Sequence, residues 1–229
     1  IYRITPRQNN DVNSDWMPDS HRLNFHWIHG DDRLTDPLVK NGDSHRITTW
    51  QEALATTADK LAGIDGSELA VIASARMTNE ELLMVNRLVK HLDAGHMDTI
   101  PRDGESDDYL ISADHNPNTN GVKLVLGLDN PGSQLEAIKK GINEGRIKAL
   151  LCLQENLVED GGFDAETLGK LDFFLTSYPL ANPTADAADV VLPGACWAEK
   201  TGTMVNVTGR LQRLNPVSYT HLRAHETGW

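Results

Sequence analysis

Apolar runs alternate with amphipathic segments along residues 68–194. The runs at 68–74, 147–153 and 187–194 have the length and the nearly continuous apolar character of buried strands. Between the first two runs, residues 78–93 read TNEELLMVNRLVKHLD, and their apolar positions recur at helical spacing. Strands that alternate with amphipathic helices predict an α/β protein with a doubly wound, mainly parallel, Rossmann-like sheet.

The helix at 78–93 carries a clear start signal. Thr78 and Glu81 have the spacing of a capping box, in which each side chain bonds the backbone of the other residue. The predicted buried stripe of this helix consists of Leu82, Val85, Leu88 and Val89.

The same pattern predicts the remaining elements. Residues 48–63 should form a helix that buries Leu54, Ala58 and Leu61. The other expected elements are a strand at 122–127, a helix at 132–145 that is capped by Ser133, and an element at 167–177 that continues the series. Residues 101–121 are dense in Asp, Asn, Pro and Gly and are expected to form a long surface connection.

Residues 1–40 show no sustained period of 2 or 3.6 residues, which predicts an irregular segment that packs against another structure. Its aromatic side chains Trp16, Phe25 and Trp27 are expected to be exposed as a partner surface. The opening IYRITPR looks like a strand already in progress, so we expect further sequence upstream.

The other end of the chain has an unusual sequence. Residues 217–227, VSYTHLRAHET, resemble the translation of a sequencing-library adapter read in frame. We therefore expect 217–229 to be an artefactual, disordered tail outside the fold. This division leaves 1–40 and 41–216 as the two structural units.

The charge balance restricts the possible partners. The 229 residues include 33 Asp and Glu and 21 Lys and Arg, which gives a net charge of -12 and a pI near 5.1. This balance argues against a surface for nucleic acid or anionic lipid. No apolar run approaches the roughly 20 residues of a membrane span, so no membrane insertion is expected. The two cysteines, Cys152 and Cys196, form no recognisable disulfide or metal motif, which favours a reducing compartment.

One group of polar residues suggests a metal site. His26 and His29 lie three residues apart and could share a metal, with Asp31 and Asp32 as oxygen ligands. The alternative is that both histidines lie in a loop, beside Trp27 or facing water.

The remaining motifs have similarly simple alternatives. Asp107, Asp108 and Asp114 could suggest calcium, but they lack the spacing of an EF-hand and also fit a solvated acidic loop. The chain has no glycine-rich nucleotide fingerprint, no phosphate-binding loop and no nucleophile elbow around a serine.

Three stretches resemble the molybdopterin oxidoreductase superfamily. Residues 2–25, YRITPRQNNDVNSDWMPDSHRLNF, are similar to a segment that ends in a Met-Cys-Asp-x-Gly-Arg block, with Pro18 in place of the cysteine. Residues 73–102 resemble a Ser-Ala-Arg, Thr-Asn-Glu-Glu strand–helix unit. Residues 184–213 resemble the run that contains ADVVLP and closes the Rossmann-like half. The most similar branch is that of the large, G-type iron–sulfur subunits of respiratory complex I.

The resemblance implies a framework without its own chemistry. In the family, the cysteine at the position of Pro18 is the last of four thiolates on a [4Fe–4S] cluster, and proline cannot replace it. We therefore expect residues 1–40 to be the end of an iron–sulfur domain whose clusters lie upstream. Asp19 and Arg22, three residues apart, are predicted to form a local ion pair.

Molybdopterin is not expected, because the connection at 102–122 is much shorter than the corresponding region of molybdenum enzymes. By resemblance, any vestigial pterin contacts would fall at Asn206 and Arg210. The alternative is that residues 202–213, GTMVNVTGRLQR, form a β-hairpin whose turn contains Gly and Asn.

The resemblance also implies a function and partners. The implied function is a non-catalytic scaffold part of the large iron–sulfur subunit of NADH:quinone oxidoreductase. Its partners would be other peripheral-arm subunits at the cytoplasmic face of the cell membrane. Two alternatives remain open: part of the catalytic subunit of a molybdenum enzyme such as formate dehydrogenase, and a non-redox binding module that uses the acidic loop at 103–114.

Overall fold

The computed structural model describes residues 1, 3–107 and 109–216 as a mixed α/β structure. The strands are β1 (Leu38–Asn41), β2 (Ser44–Ile47), β3 (Leu69–Ala73), β4 (His96–Thr99), β5 (Ala149–Leu153), β6 (Phe173–Tyr178), β7 (Val190–Pro193), β8 (Gly202–Val205) and β9 (Leu211–Leu214). The α-helices are α1 (Asp19–Arg22), α2 (Trp50–Leu61), α3 (Asn79–Leu92), α4 (Thr119–Leu126), α5 (Leu135–Asn143), α6 (Ala165–Leu168) and α7 (Pro183–Ala187). The predictions for Tyr2, Asp108 and 217–229 fall outside the described residues.

Seven strands form one sheet in the order β2-β1-β7-β6-β5-β3-β4. The five strands from β7 to β4 are parallel, whereas β1 runs antiparallel to both β2 and β7. The contact between β1 and β7 pairs Leu38 with Val191. Strands β8 and β9 form a separate antiparallel hairpin. The predicted α/β class with a mainly parallel sheet is therefore confirmed.

The sheet separates two hydrophobic cores. Leu69, Val71 and Ala73 of β3 face one core, which also contains buried side chains of α2, α3 and α4. Ala70 and Ile72 face the other core, which contains side chains of α5, α6 and α7. Because both faces of β3 are covered, its sequence is apolar at every position rather than alternating.

Helix α3 follows the sequence prediction at its start. The Thr78 hydroxyl accepts a hydrogen bond from the Glu81 N–H, and the Glu81 carboxylate accepts one from the Thr78 N–H, as in a capping box. Leu82 and Val85 are buried, but Leu88 is exposed. The apolar stripe is therefore narrower than predicted.

The predicted strand at 122–127 is wrong, because these residues belong to α4 and its C-terminal cap. Val122 and Leu126 are buried, whereas Leu124 is exposed, so burial follows a helical period. Gly127 ends the helix in the left-handed conformation, with a φ of +73°. A short apolar run fits either element by pattern alone.

Helix α2 forms as predicted, but it buries a different face. Ala53 is fully buried and Leu61 packs against the core, whereas Leu54 and Ala58 are exposed. Thr49 caps this helix by accepting a hydrogen bond from the Glu52 N–H.

Helix α5 starts at Leu135, and Ser133 does not cap it. The buried carboxylate of Asp98, at the end of β4, accepts hydrogen bonds from the N–H groups of Gly132 (2.8 Å) and Gln134 (2.6 Å). Asp98, which is distant in sequence, therefore anchors the chain just before α5, and no side chain caps the first turn of the helix.

The N-terminal segment is irregular, as predicted, but the expected opening strand is absent from its described residues. Phe25 and Ile28 are buried with Cys196 and Ala198, and Trp27 packs against this small cluster. The prediction that Phe25 is exposed was wrong, because the segment folds back onto the connection between β7 and β8. Trp16 does remain exposed, at 58% of its surface. No helix in the described part of the chain is long and apolar enough to cross a bilayer.

Candidate functional site

Strand β4 lies on one side of β3 and β5 lies on the other, so the order in which strands are added to the sheet reverses at β3. The carboxyl ends of β3 and β5 lie side by side at this point. In open α/β sheets this point is the usual location of a ligand. Here Gln154 follows β5 with a φ of +63°, and its Nε2 donates to Ser177 Oγ at 3.3 Å. The same side chain packs against Gly194, where a Cβ would come within 2.1 Å of Gln154 Nε2. The Gln154 side chain therefore lies over the ends of β6 and β7, on the side of β5 away from β3.

A buried charge cluster lies beside this edge. Arg102, after β4, binds the fully buried carboxylate of Glu155 through both guanidinium ends, at 3.1 and 2.6 Å. Its Nη2 also donates to Asp160 at 2.6 Å, and its Nη1 donates to Asn116 at 3.1 Å. Burial alone would lower the pKa of Arg102, but hydrogen bonds to and charges on Glu155 and Asp160 outweigh burial and raise it. The cluster fastens the loop at 101–118 to the end of β5.

The β8–β9 hairpin confirms the hairpin alternative for residues 202–213, and it docks on the start of α3. Glu80 accepts hydrogen bonds from the Thr203 N–H (2.8 Å) and hydroxyl (2.9 Å), while Asn79 donates to the same hydroxyl. Lys200 forms a 2.8 Å ion pair with Glu81. The first turn of α3 thus holds the hairpin through polar contacts.

Asn118 joins three elements at the base of this contact. Its fully buried side chain donates to Met77 O (2.8 Å) and to Asn79 Oδ1 (3.1 Å), and it accepts from the Val205 N–H (2.6 Å). One local signal marks this position, since Asn often precedes the first residue of a helix. The contacts that Asn118 makes across the fold had no signal in the sequence.

Replacing Asn118 by Ala should loosen the hairpin and lower the free energy of unfolding by about 1–3 kcal/mol, because Met77 O and the Val205 N–H lose a buried partner. Urea denaturation measures the change in stability, and hydrogen exchange at Val205 measures the loosening. Asn130→Ala, at an exposed position, is the matched control. Equal effects of the two substitutions would contradict this role of Asn118.

Docking of the hairpin should also weaken in acid. Partial burial would raise the pKa of Glu80, but hydrogen bonds from Thr203 outweigh it and hold the pKa below its usual value of 4.5. A lowered carboxyl pKa contributes stability that is complete above pH 4.5 and is lost as the pH falls through the folded-state value. Hydrogen exchange in β8 across pH 3–6 should show this loss, and Glu80→Gln should flatten the pH profile. An unchanged profile in Glu80→Gln would exclude Glu80 as the titrating group.

The structure places the two predicted pterin contacts at the hairpin turn. Asn206 Oδ1 accepts hydrogen bonds from the Thr208 N–H, the Thr208 hydroxyl and the Arg210 N–H, so it stabilises the turn itself. The Arg210 guanidinium pairs with Asp11 at 3.1 Å on the surface. The two side chains therefore contact different partners, and their assignment to a cofactor stays a prediction.

Pro18 directly precedes the four-residue helix α1, and its carbonyl accepts the N–H groups of His21 and Arg22. The predicted ion pair between Asp19 and Arg22 is confirmed at 3.7 Å. Both side chains are well exposed, so this pair contributes little stability.

The candidate metal ligands do not converge. The His26 ring stacks on Phe25 with a centroid separation of 4.3 Å, and His29 Nε2 lies 3.2 Å from the N-terminal nitrogen. Within the described ranges, no group of three or more His, Cys, Asp or Glu side chains could hold a metal ion.

The acidic loop bonds largely to itself. Asp107 Oδ1 accepts three backbone hydrogen bonds, from residues 109–111, which lower the pKa of Asp107. The backbones of Asp103 and Asp114 form an isolated antiparallel β-bridge. Both residues line a cleft of about 340 Å³, which Lys123 also lines. The third aspartate of the predicted group, Asp108, lies outside the described residues.

The chain forms an α/β fold, and parts of its sequence are similar to a family of redox proteins. The family model for the molybdopterin oxidoreductases matches residues 115–227, from just before α4 to beyond β9. This match and the similar proteins confirm the resemblance to the molybdopterin oxidoreductase superfamily and to its complex I branch, at modest identity over part of the chain.

Three similar proteins illustrate the relationship. The mitochondrial 78 kDa subunit of NADH-ubiquinone oxidoreductase from Candida albicans is 37% identical over 101 residues, which cover 43% of this chain and 14% of that protein. The G-type subunit of NADH-quinone oxidoreductase from Rickettsia felis is 28% identical over 96 residues, or 42% and 14% of the two chains. The alpha subunit of F420-dependent formate dehydrogenase 2 from Methanococcus maripaludis is 51% identical over 49 residues, or 21% and 7%. The chain thus spans a small part of the length of these relatives.

Proposed function

We propose that this chain supplies a structural domain to the large iron–sulfur subunit of an NADH:quinone oxidoreductase and performs no redox step itself. The observation that carries this proposal is the 37% identity to a complex I subunit over 101 residues. In this proposal, residues 41–216 are a Rossmann-like, doubly wound domain, and residues 1–40 are the end of an iron–sulfur-type domain. The partners are other peripheral-arm subunits, at the cytoplasmic face of the membrane.

The donor atoms near the N-terminal segment do not fit an iron–sulfur cluster. Pro18 has no side-chain atom that binds iron, and the cysteines lie in two different hydrophobic clusters. Burial raises the pKa of Cys196 to about 11 and also raises the pKa of Cys152, which disfavours the thiolate that a metal requires. The iron–sulfur clusters of this proposal therefore belong to other parts of the assembly.

The hairpin also fits a pterin poorly. The side-chain oxygen of Asn206 is occupied by its own turn, and Thr203 is bonded to Glu80 and Asn79. These contacts support a structural role for the hairpin, and we derive no reaction step through a pterin.

A second candidate function is supported by the formate dehydrogenase relative, which has the higher identity over its shorter match. Under this alternative, the chain is part of a molybdenum enzyme, and Arg210 would contact the pterin. Its ion pair with exposed Asp11 would then have to open.

The test is to recover the tagged polypeptide from its own cells with its native assembly. The proposal expects co-purification of NADH-dependent quinone reduction and of identifiable complex I subunits. Formate oxidation together with stoichiometric molybdenum would overturn the proposal and support the alternative. Recovery without either activity or any redox subunit would overturn it in favour of the non-redox binding module.

Arg210→Met provides a matched variant for this experiment. Because Arg210 is exposed and its side chain pairs only with Asp11 among the described residues, the substitution should leave the fold intact. NADH-dependent quinone reduction should then be unchanged if the hairpin is structural. A strong loss of activity without loss of assembly would indicate a cofactor contact instead.

A further inference from the structure

Helices α3 and α4 pack side by side and leave apolar side chains exposed along their common seam. The Asn86 side-chain amide donates to the Val125 carbonyl, which fixes the two helices against each other. Leu83 lies three residues before Asn86 on the same side of α3, and Leu124 directly precedes Val125 in α4. Leu83 is 45% exposed and Leu124 is 74% exposed.

The hairpin extends this surface. Asn120, one helical turn before Leu124, donates to the carbonyls of Asn206 and Val207. Val207, at the tip of the hairpin, is 57% exposed. The seam and the hairpin tip therefore present three apolar side chains, Leu83, Leu124 and Val207, which we call the seam surface.

Positive charge lies beside the seam surface, although the chain as a whole carries a net charge of -12. Arg87 and Lys90 follow Leu83 by four and seven residues and share its helical face. Both are exposed, and neither forms an ion pair with any residue in the described part of the chain. The acidic neighbour on this face, Glu80, has both oxygens bonded to Thr203.

We propose that the seam surface binds an acidic amphipathic segment of another polypeptide, with its apolar side chains on the seam and its carboxylates opposite Arg87 and Lys90. Apolar side chains in a seam between helices, with complementary charge at the rim, match the way in which grooves bind amphipathic helices. A second copy of this chain fits less well, because a two-fold contact would place the surface that carries these cations against an identical cationic surface. The proposal does not depend on the function proposed above.

The first test uses a labelled 14-residue amphipathic peptide with Leu at positions i, i+3, i+4 and i+7, two Glu beside the Leu positions and Ala elsewhere. Fluorescence anisotropy with the whole chain should show binding. A matched peptide with Lys in place of Glu should bind about tenfold more weakly. Equal binding of the two peptides, or binding only to phosphatidylserine vesicles, would overturn the proposal.

Three double variants locate the site. The charge reversal Arg87→Glu with Lys90→Glu should weaken binding of the Glu peptide at least about fivefold, and Leu83→Ser with Leu124→Ser should weaken it as well. The matched control reverses Lys40 and Lys60, which are also exposed and unpaired among the described residues, and it should leave binding unchanged. If the control weakened binding as much as the reversal of Arg87 and Lys90, the peptide would be responding only to the overall charge of the chain, and the proposed site would be overturned.

The second test uses the full-length protein in its native cells, with a photo-crosslinking amino acid at Leu124. The proposal expects crosslinks to an acidic segment of a different polypeptide, identified by mass spectrometry. Crosslinks to the same polypeptide or to a second copy would show that the seam surface is covered in another way and would overturn the proposal.

Discussion

Replacing Arg102 by Met is expected to lower the free energy of unfolding by about 3–5 kcal/mol, because it leaves the carboxylate of Glu155 buried without a cation. Asp160 and Asn116 lose a partner in the same substitution. Equilibrium urea denaturation measures the loss. Hydrogen exchange should also increase in the loop at 101–118, because Arg102 fastens that loop to β5.

Two comparisons make the Arg102 result specific. The double variant with Arg102→Met and Glu155→Met removes both charges, so it should recover a large part of the stability lost in Arg102→Met. Arg46→Met breaks an ion pair with Glu52 on the exposed surface and should have little effect. If Arg102→Met were as mild as Arg46→Met, the cluster would not be a main stabilising contact.

Replacing Asp98 by Ala is expected to cost about 2–4 kcal/mol of unfolding free energy. The fully buried carboxylate accepts the N–H groups of Thr99, Gly132 and Gln134, and Ala leaves all three without that acceptor. Thermal and urea denaturation measure the change, and exchange at the start of α5 should increase with it.

Two further substitutions, Asp98→Asn and Asp129→Ala, provide comparisons for the stability of Asp98→Ala. Asn keeps one acceptor oxygen, so its cost should be smaller than that of Ala. Asp129 lies in the connection that leads to α5 and is exposed, and removal of its carboxylate should change stability very little. The proposed role of Asp98 would be refuted by equal stabilities of Asp98→Ala and Asp129→Ala.

The parts of the fold that could be predicted from the sequence are those determined by neighbouring residues. The capping box of α3 was recognisable because Thr78 and Glu81 lie three residues apart. The buried strands β3 and β5 were recognisable because burial on both faces requires an unbroken apolar run. In contrast, the apolar run at 122–127 fits a strand and a helix equally well by its pattern. In the structure it forms part of α4, which packs against α3.

The candidate site was harder to predict because its contacts join distant residues. Arg102 meets Glu155 across 53 positions of the chain, and Asp98 meets Gly132 across 34. No local spacing reveals such a pair. The resemblance pointed to Asn206 as a pterin contact, and this stays a prediction; in the structure its side-chain oxygen bonds within its own turn.

The pairing of β1 with β7 has a consequence for synthesis of the protein. Leu38 emerges from the ribosome before its sheet partner Val191, which emerges only after every other strand of the seven-stranded sheet. The β1–β2 hairpin therefore cannot join the sheet until β7 has been synthesised. A nascent chain that stops before β7 exposes an unpaired strand edge at which intermolecular pairing can begin.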